Sequence, residues 1–416
     1  MNSSTLEFHD ELSHWLQARF GVEGPGKLIE SDAGLSRIID TFKPFLEKLK
    51  GPKVITVAGT NGKGETAYRI ESQLLAQNKR VALWTSPHLL SVCERLRFNG
   101  QDIDGKRCMA LFEKLEPLCA DLSYYEFLFL VFLQACIEEA PDVLLLEVGL
   151  GGRLDTVNLL DTDLALVCSI GLDHQAILGD SLEQILYEKL GICRRDKLCL
   201  TALDSPDLRA KAKNWCQAHG VPWWDAFAAK QLNLQDTYPR RNQILSSVAV
   251  GTFFDGDEFL NSFDSKTIKN DQLTFAGRRE VMTLGVQRFI FIGAHNIDGF
   301  RQAVHFWSQA GYPDEIWSAF SSRPRADLSI CVELLAQTPK QVKKMITTFD
   351  HARALTSDLA ISLSNETSGR VEFVSDWKSL INQQDAKTIA IAGSYYFIAS
   401  FMRELLLRGA TRSREF

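Results

Sequence analysis

The sequence has no long apolar run, no regular cysteine spacing and no large excess of charge of one sign. Nowhere do about 18 apolar residues follow one another without a charge, so no membrane span is predicted. The nine cysteines are odd in number and irregularly spaced, which is typical of a reducing compartment and not of a disulfide framework. Nearly all of them are expected to be small buried apolar residues.

The charge balance and the first residues indicate which partners and which cellular compartment to expect. A formal net charge of -6 argues against nucleic acid as the main partner, because proteins that bind phosphate backbones usually carry a basic face. The first residues, MNSSTLEFHDELSHWL, contain acidic side chains and no apolar core of signal-peptide length. We therefore expect a cytoplasmic protein, and 416 residues predict two domains.

Short apolar runs alternate with helical patterns along the chain, and no internal repeat or low-complexity segment is visible. This alternation predicts α/β domains with parallel sheets covered on both faces. The predicted boundary lies around Phe275–Gln287, after the polar, irregular region Asp255–Gln272, and it gives domains of residues 1–284 and 285–416. The strand candidates are KVITVAG, RVALWTS, DVLLLEVG, LALVCSI, KLCLTAL, RFIFIGAH, EIWSAFSS and KTIAIAG, and ETAYRIESQLLAQN and YYEFLFLVFLQACIEE are two of the helix candidates.

The segment VITVAGTNGKGET has the form of a strand, a glycine-rich turn and a helix start. Glycines at such a turn let backbone N–H groups face phosphate oxygens, and Lys63 adds a point charge. The spacing is shorter than in the general GxxxxGK[ST] loop, and Glu65 stands where a metal-binding hydroxyl is usual. The alternative is a plain glycine turn, but the strand context and the lysine favour phosphate binding.

Two further apolar strands end in polar side chains. Glu147 closes the run LLLE, and Asp173 and His174 follow the run LALVCSI. Ligands of open α/β sheets bind at the carboxyl ends of the strands, and a carboxylate there is costly unless it is paired or bound to a metal. His174 alone is more often a structural histidine, but beside Glu147 and a phosphate loop it is a candidate for a Mg²⁺ site.

Taken in order, several segments together resemble the folylpolyglutamate synthase/dihydrofolate synthase family of the Mur ligase superfamily. These segments are GLSRI, VAGTNGKG, TSPHL with ERLRFNG, EVGLGGRLDxxN, DHxxxLG with EKLGI, AGRREV, GAHN and AGSYYFIASF. The resemblance implies a large P-loop nucleotide-binding domain with a mostly parallel sheet and a smaller Rossmann-like carboxy-terminal α/β domain. It also implies a monomer.

The activity implied by the resemblance is ATP-dependent amide formation. A pterin-bearing carboxylate, in dihydropteroate or tetrahydrofolate, attacks the γ-phosphate of ATP, and the amine of L-glutamate then displaces phosphate from the acyl phosphate. Such phosphoryl transfer brings anions together, so catalysis rests on positioning and on charge neutralisation by cations. One or two Mg²⁺ ions and Lys63 would supply the positive charge.

The resemblance assigns roles to residues that match the family's motifs. Catalytic roles fall on Lys63, His295 and Lys189. The ATP-binding positions are Asn61, Gly62, Lys63, Gly64, Glu65, Asn242 and Arg278. The metal ligands are Ser86, Glu147 and His174. The pterin-binding positions are Asp32, Tyr124, Tyr125, Glu126, Leu154, Asp155 and Thr156. Many relatives carry the lysine that matches Lys189 as a carbamate, and an unmodified lysine paired with an acid is the alternative.

Two departures from the family pattern leave a second hypothesis open. Glu65 brings a negative charge close to the triphosphate, although a carboxylate can itself bind Mg²⁺ and Thr66 offers a hydroxyl. Ile292 stands where an ATP-contacting aspartate is usual, and Ile297 replaces a proline. The first hypothesis is a working ligase and the second is a divergent folate- or nucleotide-binding paralogue. A Mur-type ligase that uses another acid and amine is a third.

Overall fold

The computed structural model describes residues 3–21, 23, 34–49, 51–269, 278–382 and 385–413. Contacts within the chain divide it into two compact units. One is Leu6–Lys269, and the other is Asn270–Phe416 together with Met1–Thr5. Within the described ranges, no helix combines the length and the apolar character that crossing a membrane requires.

The first unit is built on a mostly parallel sheet of eight strands in the order β4-β3-β2-β5-β1-β6-β7-β8. Strands β2, β5, β1, β6, β7 and β8 run parallel, and β3 pairs antiparallel with both β2 and the edge strand β4. The strands are β1 Lys53–Ala58, β2 Val81–Trp84, β3 Leu96–Phe98, β4 Gln101–Asp102, β5 Val143–Glu147, β6 Leu164–Val167, β7 Leu198–Thr201 and β8 Trp223–Asp225.

Helices cover both faces of this sheet, which explains why its central strands are apolar on both sides. The helices are α1 Ser3–Phe20, α2 Ile39–Leu46, α3 Lys63–Ala76, α4 Gly105–Leu115, α5 Tyr124–Glu139, α6 Gln175–Leu178, α7 Leu182–Leu190, α8 Pro206–His219, α9 Tyr238–Asp255 and α10 Asp257–Ser262. Helix α5 is buried along most of its length, and a capping box of Ser123 and Glu126 starts it.

The second unit contains a seven-stranded sheet in the order β13-β12-β11-β14-β10-β9-β15. Its first five strands in that order are parallel, and β9 pairs antiparallel with both β10 and β15. The strands are β9 Arg278–Leu284, β10 Gln287–Ile292, β11 Glu315–Ala319, β12 Lys343–Thr347, β13 Glu372–Phe373, β14 Thr388–Gly393 and β15 Thr411–Ser413. The helices are α11 Ile297–Ala310, α12 Arg325–Ala336, α13 Ser357–Glu366, α14 Lys378–Ile381 and α15 Tyr395–Leu407.

The predicted fold class is confirmed, since both units are α/β with mostly parallel sheets. All eight predicted strands and both quoted helices are present. The sequence did not predict the short or charged strands β3, β4, β8, β9, β12, β13 and β15. Strand β9 pairs with β10 across the turn at residues 285–286, so both strands belong to the second unit. The contacts therefore divide the chain between Lys269 and Asn270, before the predicted boundary at residues 284/285. The functional division into residues 1–284 and 285–416 stays a prediction.

Candidate active site

Four neighbouring parallel strands of the first unit carry the predicted phosphate and metal residues at their carboxyl ends. The strands lie side by side in the order β2, β5, β1 and β6. Ser86 follows β2, Glu147 ends β5, the glycine-rich loop follows β1, and His174 follows β6. This is the edge at which open parallel sheets bind their ligands. The topology therefore places side chains from four separate stretches of sequence at one edge.

The glycine-rich loop is held against the end of β6 by reciprocal hydrogen bonds. The Asn61 N–H donates to Ser169 Oγ at 2.9 Å, and the same hydroxyl donates to the Asn61 carbonyl at 2.9 Å. Thr60 Oγ1 donates to the Gly171 carbonyl and accepts from the Gly171 N–H. Gly62, with φ of 89°, is the residue that allows the chain to turn into α3. The loop thus opens directly at a helix amino terminus.

Lys63 is the first residue of α3 and folds back over its own loop. Its Nζ donates to the Gly59 carbonyl at 3.0 Å and to the Thr60 carbonyl at 3.4 Å. Both partners are neutral carbonyl groups, so neither of them offsets the positive charge at the helix amino terminus. That arrangement suits an anion, because the helix dipole and the lysine act in the same direction.

Glu65 is almost fully buried in the first turn of α3 and pairs with a side chain that the motif did not include. Arg69, one turn later, donates from Nε and Nη2 to Glu65 Oε1 at 3.1 and 3.0 Å. Asn242 of α9 donates from Nδ2 to Glu65 Oε2 at 3.1 Å. The extra negative charge expected beside the triphosphate is therefore balanced by a buried arginine. The neighbouring Thr66 hydroxyl is also buried and accepts a weak bond from Cys168 Sγ at 3.4 Å.

Two of the predicted metal ligands, Ser86 and Glu147, are in contact where β2 and β5 end. Glu147 is 2% exposed, and its Oε2 accepts a bond from the Ser86 backbone N–H at 3.1 Å. His174 is exposed and takes a left-handed conformation with φ of 51° at the start of α6. A carboxylate and a hydroxyl are donors that Mg²⁺ prefers, so this pair fits the predicted ion. Among the described residues, no group of three or more His, Cys, Asp or Glu side chains is arranged to hold a metal by itself.

Lys189 is buried in α7, and Gly152 of the segment EVGLGGRLDxxN lets the loop after β5 lie against this helix. A Cβ atom on Gly152 would lie 2.8 Å from the Glu188 carbonyl, so only glycine permits this approach of loop and helix. Burial and, secondly, repulsion by Lys63 together lower the pKa of Lys189 to about 7, although Asp173 and Asp155 act in the opposite direction. A buried amine with this pKa is partly neutral at pH 7.

Two of the predicted pterin residues, Asp155 and Tyr125, are joined by a hydrogen bond. Asp155 Oδ2 accepts from the N–H groups of Gly149 and Leu150, both at 2.9 Å, and its Oδ1 accepts from the Val157 N–H at 3.0 Å and the Tyr125 hydroxyl at 3.2 Å. Burial raises the pKa of the Asp155 carboxyl. Asp155 therefore shapes the loop that follows β5.

The other residues of this group differ in their environment. Glu126 is fully buried and pairs with Arg37, and the Arg95 guanidinium lies over the Tyr124 ring at 5.7 Å. Leu154 is half-buried against the Gly34 turn. Thr156 Oγ1 is buried and has no hydrogen-bond partner within the described residues. Asp32 lies outside the described residues. Pterin binding by these positions stays a prediction.

Asp155→Asn is expected to lower the free energy of unfolding by about 2–3 kcal/mol, because an amide NH₂ cannot accept from backbone N–H groups and leaves buried donors unpaired. Urea denaturation measures this loss. The matched control is Asp161→Asn, whose side chain is 92% exposed and pairs with Arg194. The control should change the free energy of unfolding by less than about 0.5 kcal/mol. Equal losses in the two variants would contradict the structural role of Asp155.

The second unit holds the remaining predicted residues. His295 is half-buried, its Nδ1 lies 3.3 Å from the Gly293 carbonyl, and its ring packs against Tyr395. Asn296 caps α11 by accepting from the Gly299 N–H at 2.8 Å. Ile292 ends β10 and packs against the apolar core of this unit. Arg278 begins β9, and its side chain lies outside the described part of the chain.

Sequence reasoning missed two residues that organise the first unit's site. Arg69 neutralises Glu65, and Ser169 fixes the loop to β6. The first had a signal, because a glutamate four residues before an arginine is a favourable helix pair. The second had only its position after a predicted strand.

No family model matches this chain. A dihydrofolate synthase/folylpolyglutamate synthase of Haemophilus influenzae is 40% identical over 213 residues, which are 50% of this chain and 46% of that protein. The match to this relative thus spans about half its length. The protein of the same name from Bacillus subtilis is 25% identical over 95% of this chain and 99% of its own. A crystal structure of a bifunctional folylpolyglutamate synthase/dihydrofolate synthase with Mn, AMPPNP and L-glutamate bound has a TM-score of 0.75 and 27% identity, covering 95% of this chain and 98% of that one.

Proposed function

We propose that this chain, whose resemblance to the dihydrofolate synthase/folylpolyglutamate synthases is confirmed in sequence and in fold, is an ATP-dependent amide ligase. Its reaction would join L-glutamate to the carboxylate of dihydropteroate, of a reduced folate such as tetrahydrofolate, or of both. The observation that carries the proposal is the edge of the sheet where Lys63, Glu147 and Lys189 come from three different elements.

The chemistry follows from the charges of this edge. A carboxylate oxygen attacks the γ-phosphorus of ATP, and the bond from that phosphorus to the β,γ-bridging oxygen breaks. The products of this step are an acyl phosphate and ADP. The glutamate amine then attacks the acyl carbon, loses a proton and expels inorganic phosphate. Lys63 would hold the phosphates against the backbone N–H groups of the loop and reduce the repulsion between the anions. His295 is proposed to act in the same reaction.

Ser86, Glu147 and His174 would hold Mg²⁺, which supplies charge neutralisation at the transferred phosphoryl group. The fit rests on the buried Glu147 carboxylate, which the Ser86 backbone N–H contacts, and on the hydroxyl that Ser86 carries beside it. Asn61, Gly62, Gly64, Asn242 and Arg278 would contact ATP. The Thr156 hydroxyl, which has no hydrogen-bond partner among the described residues, supports a pterin group beside it, because a polar atom of that ligand would satisfy the hydroxyl. A cytoplasmic location is also proposed, and nine free cysteines support it.

The test is phosphate release by the purified full chain with ATP, Mg²⁺ and L-glutamate. Dihydropteroate and tetrahydrofolate are compared as acceptors, and each reaction is repeated without glutamate and without acceptor. We expect release only when glutamate and at least one acceptor are both present. Release that ignores the acceptor would contradict the ligase. No release, with nucleotide or pterin binding retained, would favour a binding paralogue.

A further inference from the structure

Three buried side chains form a cluster at the start of α3, and we call Glu65, Arg69 and Asn242 the Glu65 cluster. Glu65 is 6% exposed, Arg69 3% and Asn242 4%. Each oxygen of the Glu65 carboxylate accepts from one of the other two members, Oε1 from Arg69 and Oε2 from Asn242. The cluster thus ties the first turn of α3 to α9.

The charge of the cluster is balanced inside the protein. Glu65 and Arg69 lie one turn apart on the same helix and make a two-donor ion pair away from water. A buried pair of this kind contributes little net stability when it is complete, but removal of one partner leaves a buried charge without compensation. Because Arg69 cancels it, Glu65 adds no net negative charge beside the phosphate loop.

The cluster also sets the orientation of Asn242. A carboxylate can only accept hydrogen bonds, so the Asn242 atom that faces Glu65 must belong to its NH₂ group. The carbonyl Oδ1 therefore points elsewhere, and a Cβ atom on Gly62 would lie 2.5 Å from it. Glu65 consequently holds the amide of Asn242 against Gly62, the loop residue at which α3 begins.

We propose that Glu65 is a positioning residue that fixes the phosphate loop through Asn242, while Arg69 keeps the arrangement electrically neutral. In this role Glu65 is not a ligand of Mg²⁺. The inference rests on the proposed function, because it assumes that the loop binds a nucleoside triphosphate. It also explains how a glutamate replaces a hydroxyl in this loop without adding repulsion.

The first experiment is a double-mutant cycle read as the Kd of Mg²⁺–AMPPNP, measured by calorimetry. Glu65→Ala and Asn242→Ala should each weaken binding about 10-fold, and the double variant should also be weakened only about 10-fold, because residues that act through one contact are not additive. A loss of about 100-fold in the double variant would mean independent roles and overturn the proposal. Single variants that bind as the wild type does would overturn it as well.

The second experiment separates charge from packing. Arg69→Met leaves the Glu65 charge uncompensated and should weaken Mg²⁺–AMPPNP binding about 10-fold or more, whereas Arg69→Met combined with Glu65→Gln should return it to within about threefold of wild type. If the combined variant binds no better than Arg69→Met, charge compensation is wrong. Arg69→Lys keeps the charge and serves if Arg69→Met does not fold. It should bind better than Glu65→Ala does, and equal losses would overturn the proposal.

The third measurement is the Mg²⁺ dependence of phosphate release at saturating ATP. In Glu65→Ala the half-saturating Mg²⁺ concentration should stay within about twofold of wild type, because no ligand is lost. A shift of about 10-fold or more would make Glu65 a metal ligand, since loss of a group that supports a metal site typically costs this much affinity. Failure of the ligase reaction leaves the binding cycle readable, because AMPPNP binding needs no turnover. A wild type that binds no AMPPNP would overturn both proposals.

Discussion

Lys63→Met is expected to lower kcat for phosphate release about 10³-fold, which corresponds to about 4 kcal/mol of lost transition-state stabilisation. The Lys63 ammonium lies at the amino terminus of α3 and donates hydrogen bonds to the carbonyls of Gly59 and Thr60. Phosphoryl transfer to a carboxylate needs that charge, because both reactants are anions. The measurement is kcat with saturating ATP, L-glutamate and acceptor.

The matched control for Lys63 is Lys106→Met. Lys106 is exposed on α4, and no role in the reaction is proposed for it. Its replacement should leave kcat within about twofold of wild type, as is usual for surface substitutions. Lys63→Met should keep its fold, since the half-buried Lys63 bonds only neutral carbonyls of its own loop among the hydrogen bonds described, and its removal leaves no buried charge. Retention of more than about a tenth of wild-type kcat would show that the loop lysine contributes far less than an oxyanion-type donor does.

The strands that could be predicted from the sequence are those whose residues form a continuous apolar run. Strands β1, β5 and β6 are buried on both faces, so their composition alone identifies them. Strand β12, with the sequence KKMIT, is buried from its second residue onwards, but its two lysines interrupt the apolar pattern. The short edge strand β8, with WWD, is only partly buried and ends in an aspartate. An apolar run therefore identifies a strand only where the buried residues are themselves apolar, as they are in the central strands.

Of the candidate site, the residues at the ends of apolar strands could be predicted from the sequence, and the contacts between distant residues could not. Lys63 and Glu147 follow apolar strands, and the position of a strand end can be read from the sequence. The contact between Glu65 and Asn242 joins residues 177 positions apart, and it depends on how α9 packs on α3. No local pattern contains that information. The ion pair with Arg69 has a local spacing, but only the structure shows that the pair is buried. Because of that burial, Glu65 is interpreted as a partner of Arg69 and Asn242.

Lys189→Met is expected to lower kcat at least about 100-fold and to remove a pH-dependent component of stability. The folded pKa of Lys189, about 7, lies below the ordinary value of 10.5. Between these pH values the unfolded chain binds the proton and the folded chain does not, so the free energy of unfolding rises with pH across this window. Below pH 7 both states are protonated, and the cost of the buried ammonium is fully present.

Urea denaturation at pH 7 and pH 9.5, in buffer free of carbon dioxide, measures this component. The wild type should gain more stability between the two pH values than Lys189→Met does. Lys213→Met, an exposed replacement on α8, is the matched control and should keep the wild-type gain. The same gain in all three proteins would contradict a lowered pKa for Lys189.

The neutral amine of Lys189 is also the form that reacts with carbon dioxide, because the nitrogen lone pair attacks carbon and one proton is released as the carbamate forms. With ¹³C-labelled bicarbonate, the wild type should therefore show a carbamate ¹³C signal that grows as the pH rises through about 7. Lys189→Met should lack this signal. Activity that increases with bicarbonate in parallel with the signal would make the carbamate the working form. Full activity without any such signal would assign the role to the neutral amine, whose burial beside Lys63 avoids placing two ammonium charges at one site.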